Sequence, residues 1–273
     1  MDTTQRTDRD DIHGTVREHY ARISETAGAT SCAPGCCGAN PGASVALGYS
    51  MEELGTLPEG ANLGLGCGNP QALAALRPGE VVLDLGSGGG IDCFLAARKV
   101  GPQGRAIGID MTPEMLARAR AAAKRLGLAN VEFRLGEIEH LPVADGSVDV
   151  ILSNCVVNLS PDKPQVFREA LRVLRPGGRL AIADVVALRD IPTHLAAQAA
   201  TWSGCVSGAA AVRDLERWLR EAGFTDIRVH VKPESRAVIA TWFPGSGAED
   251  HVASATIEAV KPGACGCGPG TCG

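Results

Sequence analysis

The sequence predicts an α/β fold built on a doubly wound sheet that is mostly parallel and has an antiparallel edge. Three observations support this prediction. From residue 79 onward, short apolar runs alternate with stretches of helical period. A glycine-rich turn, "GSGGG", joins the first run to the first helix, where doubly wound sheets bind their ligands. The last two apolar runs follow one another without a helix between them, which predicts the antiparallel edge.

The predicted strands are apolar runs bounded by turn-forming residues. In chain order they are "EVVLDLG", "RAIGID", "VEFRLG", "SVDVILSN", "RLAIADVV", "DIRVHV" and "RAVIATW". The predicted helices of this region are "IDCFLAARKV", "TPEMLARARAAAKRLG", "KPQVFREALRVL", an Ala-rich segment near 192–203 and "VRDLERWLREAG". In the second of these helices Thr112 can cap the N-terminus, and Pro113 occupies the first helical position, which favours proline.

Three regions are expected along the chain. Residues 1–70 contain an amphipathic helix in "DIHGTVREHYARISETA", followed by a stretch rich in Cys, Gly and Pro that predicts a lid over the next region. Residues 71–244 hold the strand–helix alternation and form the α/β domain. Residues 245–273 are predicted to be a flexible tail that carries cysteines.

Composition excludes several classes of function. The 273-residue chain has a formal net charge of −5 and no concentrated basic stripe, which argues against a nucleic-acid partner. No segment approaches the roughly 20 uninterrupted apolar residues of a membrane span. The polar start, "MDTTQRTDRDDIHGTV", lacks the apolar stretch of a signal peptide. We therefore expect a cytoplasmic monomer without membrane or nucleic-acid partners.

Ten cysteines are many for a chain of this length. In a reducing cytoplasm they indicate ligands for soft ions or catalytic thiols more than a disulfide framework. Three of them follow the ligand-binding edge of the predicted sheet. Cys155 ends the fourth strand, Cys205 lies beyond the fifth, and Cys67 lies in the lid before the first, so these thiols can converge. Cys93, inside the first helix of the domain, is expected to be a core residue.

The glycine turn and the next strand end predict a nucleotide-like cofactor site. Gly86, Gly88 and Gly90 let the backbone approach a ligand closely, and Asp110 is placed to accept hydrogen bonds from both ribose hydroxyls. Their G-x-G-x-G spacing departs from the G-x-G-x-x-G pattern of dinucleotide-binding folds. With Asp84 before it, the turn resembles the first motif of S-adenosylmethionine-dependent methyltransferases.

Two later segments, "GEIEHLPVADGSVDVILSN" and "RVLRPGGRLAIAD", resemble further motifs of the same superfamily. The resemblance implies a Rossmann-like class I methyltransferase sheet with S-adenosylmethionine as its cofactor. It also implies cofactor contacts from Met111, Glu137, Ile138 and Asn154, with Glu137 and Ile138 near the adenine.

Converging thiols beside a methyl donor fit an acceptor atom that is soft and carries its own lone pair. Methyl transfer to oxygen or nitrogen usually requires a general base, whereas trivalent arsenic keeps a free lone pair after it has bound three sulfurs. Thiolates are the preferred ligands of soft centres, and a neutral tris-thiolate complex is less costly to bury than an anion. The predicted arsenic(III) ligands are Cys67, Cys155 and Cys205.

The segments "LGYSMEELGTLPEGANLGLGCGNP", "VVLDLGSGGGIDCFLAA", "IGIDMTPEML", "NVEFRLGEIEHLPV" and "DVILSNCVVNLSPDK" together resemble an arsenite methyltransferase. The resemblance implies successive methyl transfer to arsenite and methylated trivalent arsenicals, as in arsenic detoxification. It implies glutathione or reduced thioredoxin as the thiol reductant. Cys36 and Cys37 match the region of a further cysteine that takes part in thiol exchange, and the match does not distinguish between them.

Two other functions stay open on the residues alone. One is methyl transfer to a small organic acceptor, with structural cysteines and with Glu137 or His140 as the base. The other is a non-catalytic protein that sequesters or senses metalloid. The tail spacing C-x-C-x4-C, at Cys265, Cys267 and Cys272, is compatible with metalloid capture and with an unstructured tail.

Overall fold

The computed structural model describes residues 3–26, 45, 48–58, 61–63, 66–196, 205–242 and 244–263. Its α-helices are α1 (Thr3–Thr26), α2 (Met51–Gly55), α3 (Pro70–Ala74), α4 (Ile91–Val100), α5 (Pro113–Leu126), α6 (Lys163–Val173), α7 (Thr193–Ala196), α8 (Val212–Ala222) and α9 (Arg236–Trp242). Its strands are β1 (Val81–Leu85), β2 (Arg105–Asp110), β3 (Val131–Leu135), β4 (Val148–Asn154), β5 (Leu174–Ala187), β6 (Ala210–Ala211), β7 (Thr225–Lys232) and β8 (Val252–Val260). Short 3₁₀ helices cover Val157–Leu159, Pro233–Ser235 and Ala248–Asp250.

The strands form one sheet in the order β3-β2-β1-β4-β5-β8-β7, and the short β6 pairs with β5 outside this path. Strands β1 to β5 pair in parallel, whereas β8 runs antiparallel to both of its neighbours, β5 and β7. The strand order reverses at β1, and a crevice opens at the carboxyl ends of the strands at such a reversal. The doubly wound, mostly parallel sheet predicted from the sequence is confirmed.

The antiparallel end of the sheet is built from segments other than those predicted. "RAVIATW" forms helix α9 instead of a strand, and its buried residue is Ile239. The antiparallel strand is β8, which lies inside the predicted flexible tail and is inserted between β5 and β7. Its sequence, "VASATIEAV", is rich in small residues and is buried on both faces, so it shows neither a strong apolar run nor an alternation. The flexible-tail prediction is therefore wrong for Val252–Val260.

The sheet buries apolar side chains on both faces because successive residues of a strand point in opposite directions. On one face, Leu83 packs in a cluster with Phe167 of α6 and Leu219 of α8. On the other, Val82 packs in a cluster with Phe94 of α4 and Leu116 of α5. Cys93 belongs to this second cluster, as predicted. The two layers of helices hold the strand ends, and with them the glycine turn, in fixed positions.

Helix α1 packs against α5 and against the 3₁₀ helix Val157–Leu159, which follows β4. Val16 is fully buried in this contact, and the guanidinium of Arg118 donates a hydrogen bond of 2.7 Å to the carbonyl oxygen of Ser24. The N-terminal helix therefore lies over the carboxyl edge of the sheet. Within the described ranges, no helix combines the length and the apolar character that crossing a membrane requires.

Candidate functional site

A cleft opens at the carboxyl ends of β1, β2 and β4 and contains about 1030 Å³ of space, its open mouth included. The glycine turn forms its floor, and side chains of α1, among them His13, Val16 and Tyr20, form part of its wall. The predicted cofactor residues that line it are Asp84, Gly86, Gly88, Asp110, Met111, Ile138 and Asn154. These residues come from five separate segments of the chain.

The three motif glycines of the turn, Gly86, Gly88 and Gly90, all have left-handed backbone conformations that disfavour other residues, with φ +91° at Gly90. Gly86 has φ +65°, and a Cβ there would overlap the side chain of Val156. Gly88 has φ +50° and faces open space, so its freedom serves the backbone turn. Gly90 does not line the cleft. It precedes α4, and a Cβ there would lie 2.8 Å from the rings of Phe94 and Phe133, so it serves packing.

Asp110 ends β2 with its carboxylate at the edge of the cleft. One carboxylate oxygen accepts a hydrogen bond of 2.9 Å from the backbone N–H of Gly88, and the other accepts one of 2.8 Å from that of Thr112. Burial raises the pKa of Asp110 above its usual value, and these hydrogen bonds act in the opposite direction. The buried hydroxyl of Ser87, which also lines the cleft, makes no hydrogen bond within the described part of the chain. The carboxylate of Asp110 fits the hydroxyls of a ribose.

Glu137 and Ile138 differ in their placement. Ile138 lines the cleft, whereas the carboxylate of Glu137 lies outside its lining and accepts a hydrogen bond of 3.2 Å from Arg17 of α1. Glu139, which the sequence did not single out, lies in the cleft wall instead. His140 is exposed at the surface, away from the cleft lining, which disfavours it as a base for an organic acceptor.

Cys67 and Cys155 are in direct contact through their sulfurs, and their Cα atoms lie 5.8 Å apart, a separation that permits a disulfide. Cys205 joins the same buried cluster, and its thiol donates a hydrogen bond of 2.9 Å to the carbonyl oxygen of Cys155. We call these three residues the thiol site. Cys155 also lines the cofactor cleft, so the thiol site adjoins the cleft. Cys36, Cys37 and the three tail cysteines lie outside the described residues.

Asn154, immediately before Cys155, holds the segment of Cys67 in position through hydrogen bonds. Its side-chain oxygen accepts a hydrogen bond of 2.9 Å from the backbone N–H of Cys67, and its amide nitrogen donates one of 2.7 Å to the carbonyl oxygen of Gly68. The same nitrogen donates to the hydroxyl of Tyr49 at 3.1 Å. A Cβ on Gly66 would come within 3.0 Å of this amide, so the Cys67 segment can pack here only with glycine at position 66.

Asn158, three residues after Cys155, contacts the segment of Cys205 and is itself held by hydrogen bonds to β5. Its amide nitrogen donates hydrogen bonds to the carboxylate of Asp184 at 2.9 Å and to the carbonyl oxygen of Val185 at 2.5 Å. It also contacts the carbonyl oxygen of Cys205 at 3.5 Å. A Cβ on Gly208 would overlap the carbonyl of Asn158, so this loop also approaches closely. The two asparagines that flank Cys155 thus connect it to the other two cysteines.

Cys155 and Cys205 both have left-handed backbone conformations, with φ +55° and φ +63°. Such conformations cost free energy for residues other than glycine and persist where the surroundings determine them. The backbone N–H of Cys155 donates a hydrogen bond of 2.8 Å to the carbonyl oxygen of Ala183 in β5, which holds Cys155 in this conformation. Sequence reasoning identified Asn154 only as a cofactor contact and gave Asn158 no role, although both flank the cysteine in "SNCVVN".

Asp184, near the end of β5, is a site residue that the sequence did not reveal. An oxygen of its carboxylate and the sulfurs of Cys67 and Cys155 all lie within 4.8 Å of one another, and all three residues are buried. Burial raises the pKa of Asp184 to about 6, while hydrogen bonds from the backbone of Val185 and Asn158 oppose the increase. Lys163, which is also buried, interacts favourably with this carboxylate.

A charged contact attaches α1 to the cleft wall. His13 and the carboxylate of Glu139 are 3.0 Å apart, and the hydroxyl of Ser160 donates to the same carboxylate. The hydrogen bond with Glu139 raises the pKa of His13. Burial tends to raise the pKa of Glu139, but its hydrogen bonds with His13 and Ser160 bring it below its usual value. No pairing of this histidine could be read from the sequence, because its partner lies 126 residues away.

Comparisons with known proteins agree with this geometry. Residues 76–223 match the family model described as "Methyltransferase domain". The chain is 49% identical over 266 residues to an arsenite methyltransferase of Halobacterium salinarum, a match that covers 93% of this chain and 68% of the relative. It is 41% identical over 225 residues to one of Aquipseudomonas alcaligenes, covering 80% and 63% of the two chains. The chain thus spans about two thirds of the length of these relatives.

A solved structure supports the same relationship. The crystal structure of an arsenic(III) S-adenosylmethionine methyltransferase from Chlamydomonas reinhardtii is 33% identical to this chain and superposes with a TM-score of 0.62. The match covers 81% of this chain and 74% of that one. On the fold, the cofactor cleft and these relatives together, the chain belongs to the arsenite methyltransferase family of S-adenosylmethionine-dependent enzymes.

Proposed function

We propose that this chain transfers methyl groups from S-adenosylmethionine to trivalent arsenic, and that it accepts arsenite and methylated trivalent arsenicals. The observation that carries the proposal is the thiol site, in which three cysteines from distant segments meet beside the cofactor cleft. Family membership supports the same acceptor. The exposed position of His140 and the surface pairing of Glu137 leave an organic acceptor without its candidate bases.

The thiol site would bind arsenic by exchange of ligands. Each thiol replaces one hydroxyl of arsenite and releases one water, so three thiols give a neutral complex that needs no charge compensation on burial. Sulfur is the ligand that soft centres prefer. The buried surroundings of Cys67, Cys155 and Cys205 exclude water from the bound arsenic, whose lone pair stays free.

The cleft would hold and orient the methyl donor. The glycine turn allows close backbone approach, and the carboxylate of Asp110 offers a partner for the ribose hydroxyls. When bound, S-adenosylmethionine supplies an electrophilic methyl group on a positively charged sulfur. The carboxylate of Glu139 lines the same cleft and has a lowered pKa, so its negative charge would favour that cation. Fixed positions for acceptor and donor supply catalysis through proximity and orientation.

A thiol reductant completes the proposed cycle. Because Cys67 and Cys155 are close enough to form a disulfide, the site binds arsenic only after both are reduced. We propose glutathione or thioredoxin as the reductant, with Cys36 or Cys37 taking part in thiol exchange. We place the protein in the cytoplasm, where such reductants keep thiols free, and expect the monomer to be the working form.

The decisive experiment incubates the purified 273-residue chain with arsenite, S-adenosylmethionine and thiol, and then separates the arsenic species by chromatography. Methylated arsenic is the expected product. Cys155→Ser and Cys205→Ser are each expected to abolish it while S-adenosylmethionine binding survives, and Cys93→Ser serves as the matched control of a buried cysteine elsewhere. Retained methylation in both site variants would refute the three-thiol mechanism, and absence of any methylated arsenic from the wild type would refute the function.

A further inference from the structure

Two of the three arsenic-binding thiols belong to a second, different donor set. The sulfurs of Cys67 and Cys155 lie within 4.8 Å of a carboxylate oxygen of Asp184, and these three residues are 6%, 8% and 2% exposed. Neighbouring ligand atoms around a tetrahedral zinc ion are separated by roughly 3.5–3.8 Å, given typical zinc–sulfur and zinc–oxygen distances. All three atoms can bind one ion once the two sulfurs, which are in contact in this structure, separate and the carboxylate approaches them. Two thiolates and a carboxylate are the donor set of a thiophilic divalent cation.

The surroundings of Asp184 are those of a supported metal ligand. Its carboxylate accepts hydrogen bonds from the amide nitrogen of Asn158 at 2.9 Å, from the backbone N–H of Val185 at 2.8 Å and from that of Asn158 at 3.2 Å. Two of these bonds are to the same oxygen, Oδ1, so Oδ2 is the less engaged atom. Hydrogen bonds that orient a ligating carboxylate are typical of metal sites.

The charges also balance. Two thiolates and one carboxylate carry three negative charges, and a divalent cation leaves one of them uncompensated. Lys163, 9% exposed, donates a hydrogen bond of 2.9 Å to the carbonyl oxygen of Ser160 and interacts favourably with Asp184. Its ammonium group brings the buried assembly to neutrality, which avoids the cost of an uncompensated buried charge. Trivalent arsenic already forms a neutral complex with three thiolates, so it does not need this carboxylate as a ligand.

We propose that Cys67, Cys155 and Asp184 form a binding site for a thiophilic divalent cation such as Zn²⁺ or Cd²⁺. A cation bound there excludes arsenite, because the cation and the arsenic both need the thiols of Cys67 and Cys155. The cation and arsenic differ in their third ligand: Asp184 for the cation, and Cys205 for arsenic. The site thus makes arsenic binding sensitive to the concentration of such cations.

The test uses the reduced 273-residue chain in which the six cysteines outside the described residues are replaced by serine, so that they do not bind the probe. They are Cys32, Cys36, Cys37, Cys265, Cys267 and Cys272. Cadmium binding is followed by the thiolate-to-cadmium ultraviolet absorption, zinc binding by competition with a chromophoric chelator, and arsenite binding by displacement of each cation. One cation per chain is expected, displaced by arsenite in a competitive manner.

Two variants separate the two occupants. Asp184→Asn is expected to weaken Cd²⁺ and Zn²⁺ binding about 10- to 100-fold while it changes arsenite affinity less than about threefold. Cys205→Ser is expected to weaken arsenite binding about 10- to 100-fold while it changes the affinity for Cd²⁺ and Zn²⁺ less than about threefold. Cys93→Ser, which alters a buried thiol outside the site, should change neither. If Asp184→Asn binds the cations as tightly as its parent, or if Cys205→Ser loses them, the proposal is wrong.

Each remaining outcome is also decisive. Should Asp184→Asn lose both ligands, the site has collapsed, and the Cys205→Ser result alone then supports or overturns the proposal. Because the readout is equilibrium binding, the result does not depend on methyl transfer. A chain that binds the cation as described but methylates no arsenic would leave this inference standing and refute the proposed function.

Discussion

The backbone N–H of Cys67 donates a hydrogen bond of 2.9 Å to the side-chain oxygen of Asn154, 87 residues further along the chain. Because Asn154 is the neighbour of Cys155, the end of strand β4 fixes the position of two cysteines at once. The thiol site is therefore assembled by amide side chains as much as by the thiols themselves.

Asn154→Ala removes these connections and is expected to lower arsenite affinity at least tenfold, because Cys67 is no longer fixed beside Cys155. Loss of the buried hydrogen bonds is also expected to lower the free energy of unfolding by about 1–3 kcal/mol. The matched control is Asn130→Ala, whose amide makes hydrogen bonds of 2.9 Å to the carbonyl oxygens of Ala97 and Gly101 at a distance from the site. Similar arsenite affinities for both variants would contradict the positioning role.

Asn158→Ala is expected to release the segment of Cys205 from the thiol site, while the positions of Cys67 and Cys155 stay unchanged. X-ray absorption spectroscopy of bound arsenic should then report two sulfur neighbours instead of three, as in Cys205→Ser. S-adenosylmethionine affinity should stay near the wild-type value, because Asn158 does not line the cleft. Three sulfur neighbours in Asn158→Ala would show that the Cys205 loop reaches the site without this asparagine.

Gly86→Ala is expected to lower S-adenosylmethionine affinity by tenfold or more. The added methyl group would overlap Val156, and φ +65° is strained for alanine, so the glycine turn has to shift. Gly127→Ala is the control, because Gly127 has φ +64° at the end of α5 with no atom within 4 Å of an added Cβ. It should cost about 1 kcal/mol of stability and leave cofactor titrations, measured by calorimetry, unchanged.

The contact between His13 and Glu139 is expected to make the attachment of α1 depend on pH. The raised pKa of His13 contributes stability fully below its usual value of 6.5, and this contribution is lost as the pH rises through the raised value. The lowered pKa of Glu139 contributes stability above its usual value of 4.5, which is lost as the pH falls through the lowered value. The attachment is therefore strongest between these limits.

Amide hydrogen exchange provides the measurement for α1. Protection of α1, corrected for intrinsic exchange, should decline as the pH rises from about 6.5, and His13→Gln should remove this decline. Glu137, 3.7 Å from the ring of His13, adds to the rise in its pKa, and Arg17 opposes it, so both belong among the control variants. A decline of equal size in His13→Gln would assign the effect to another group.

Oxidation by diamide is expected to join Cys67 to Cys155, whose Cα separation of 5.8 Å permits the bond. The treated protein should lose arsenite binding, keep S-adenosylmethionine binding, and recover on addition of thiol. Peptide mapping would identify the linkage. Arsenite binding that survives once this linkage is formed would show that the two thiols are not both required.

Patterns along the chain were enough to predict the parallel sheet, the glycine turn, Asp110 at the end of β2 and the three cysteines. Each of these is a local signal, since a buried strand, a turn and the residue that follows a strand are read within a few positions. The cysteines were found because their spacing along the strands and the fold class together place them at one edge.

The remaining features depend on tertiary contacts. Strand β8 has a weak apolar signal of its own and becomes a strand because β5 and β7 pair with it on both sides. In the sequence Asp184 is one of many carboxylates, and only the position of β5 in the sheet places it beside Cys67 and Cys155. His13 and Glu139 meet across 126 residues. Contacts of this kind depend on which elements pack together, a property of the whole chain that no short stretch of sequence encodes.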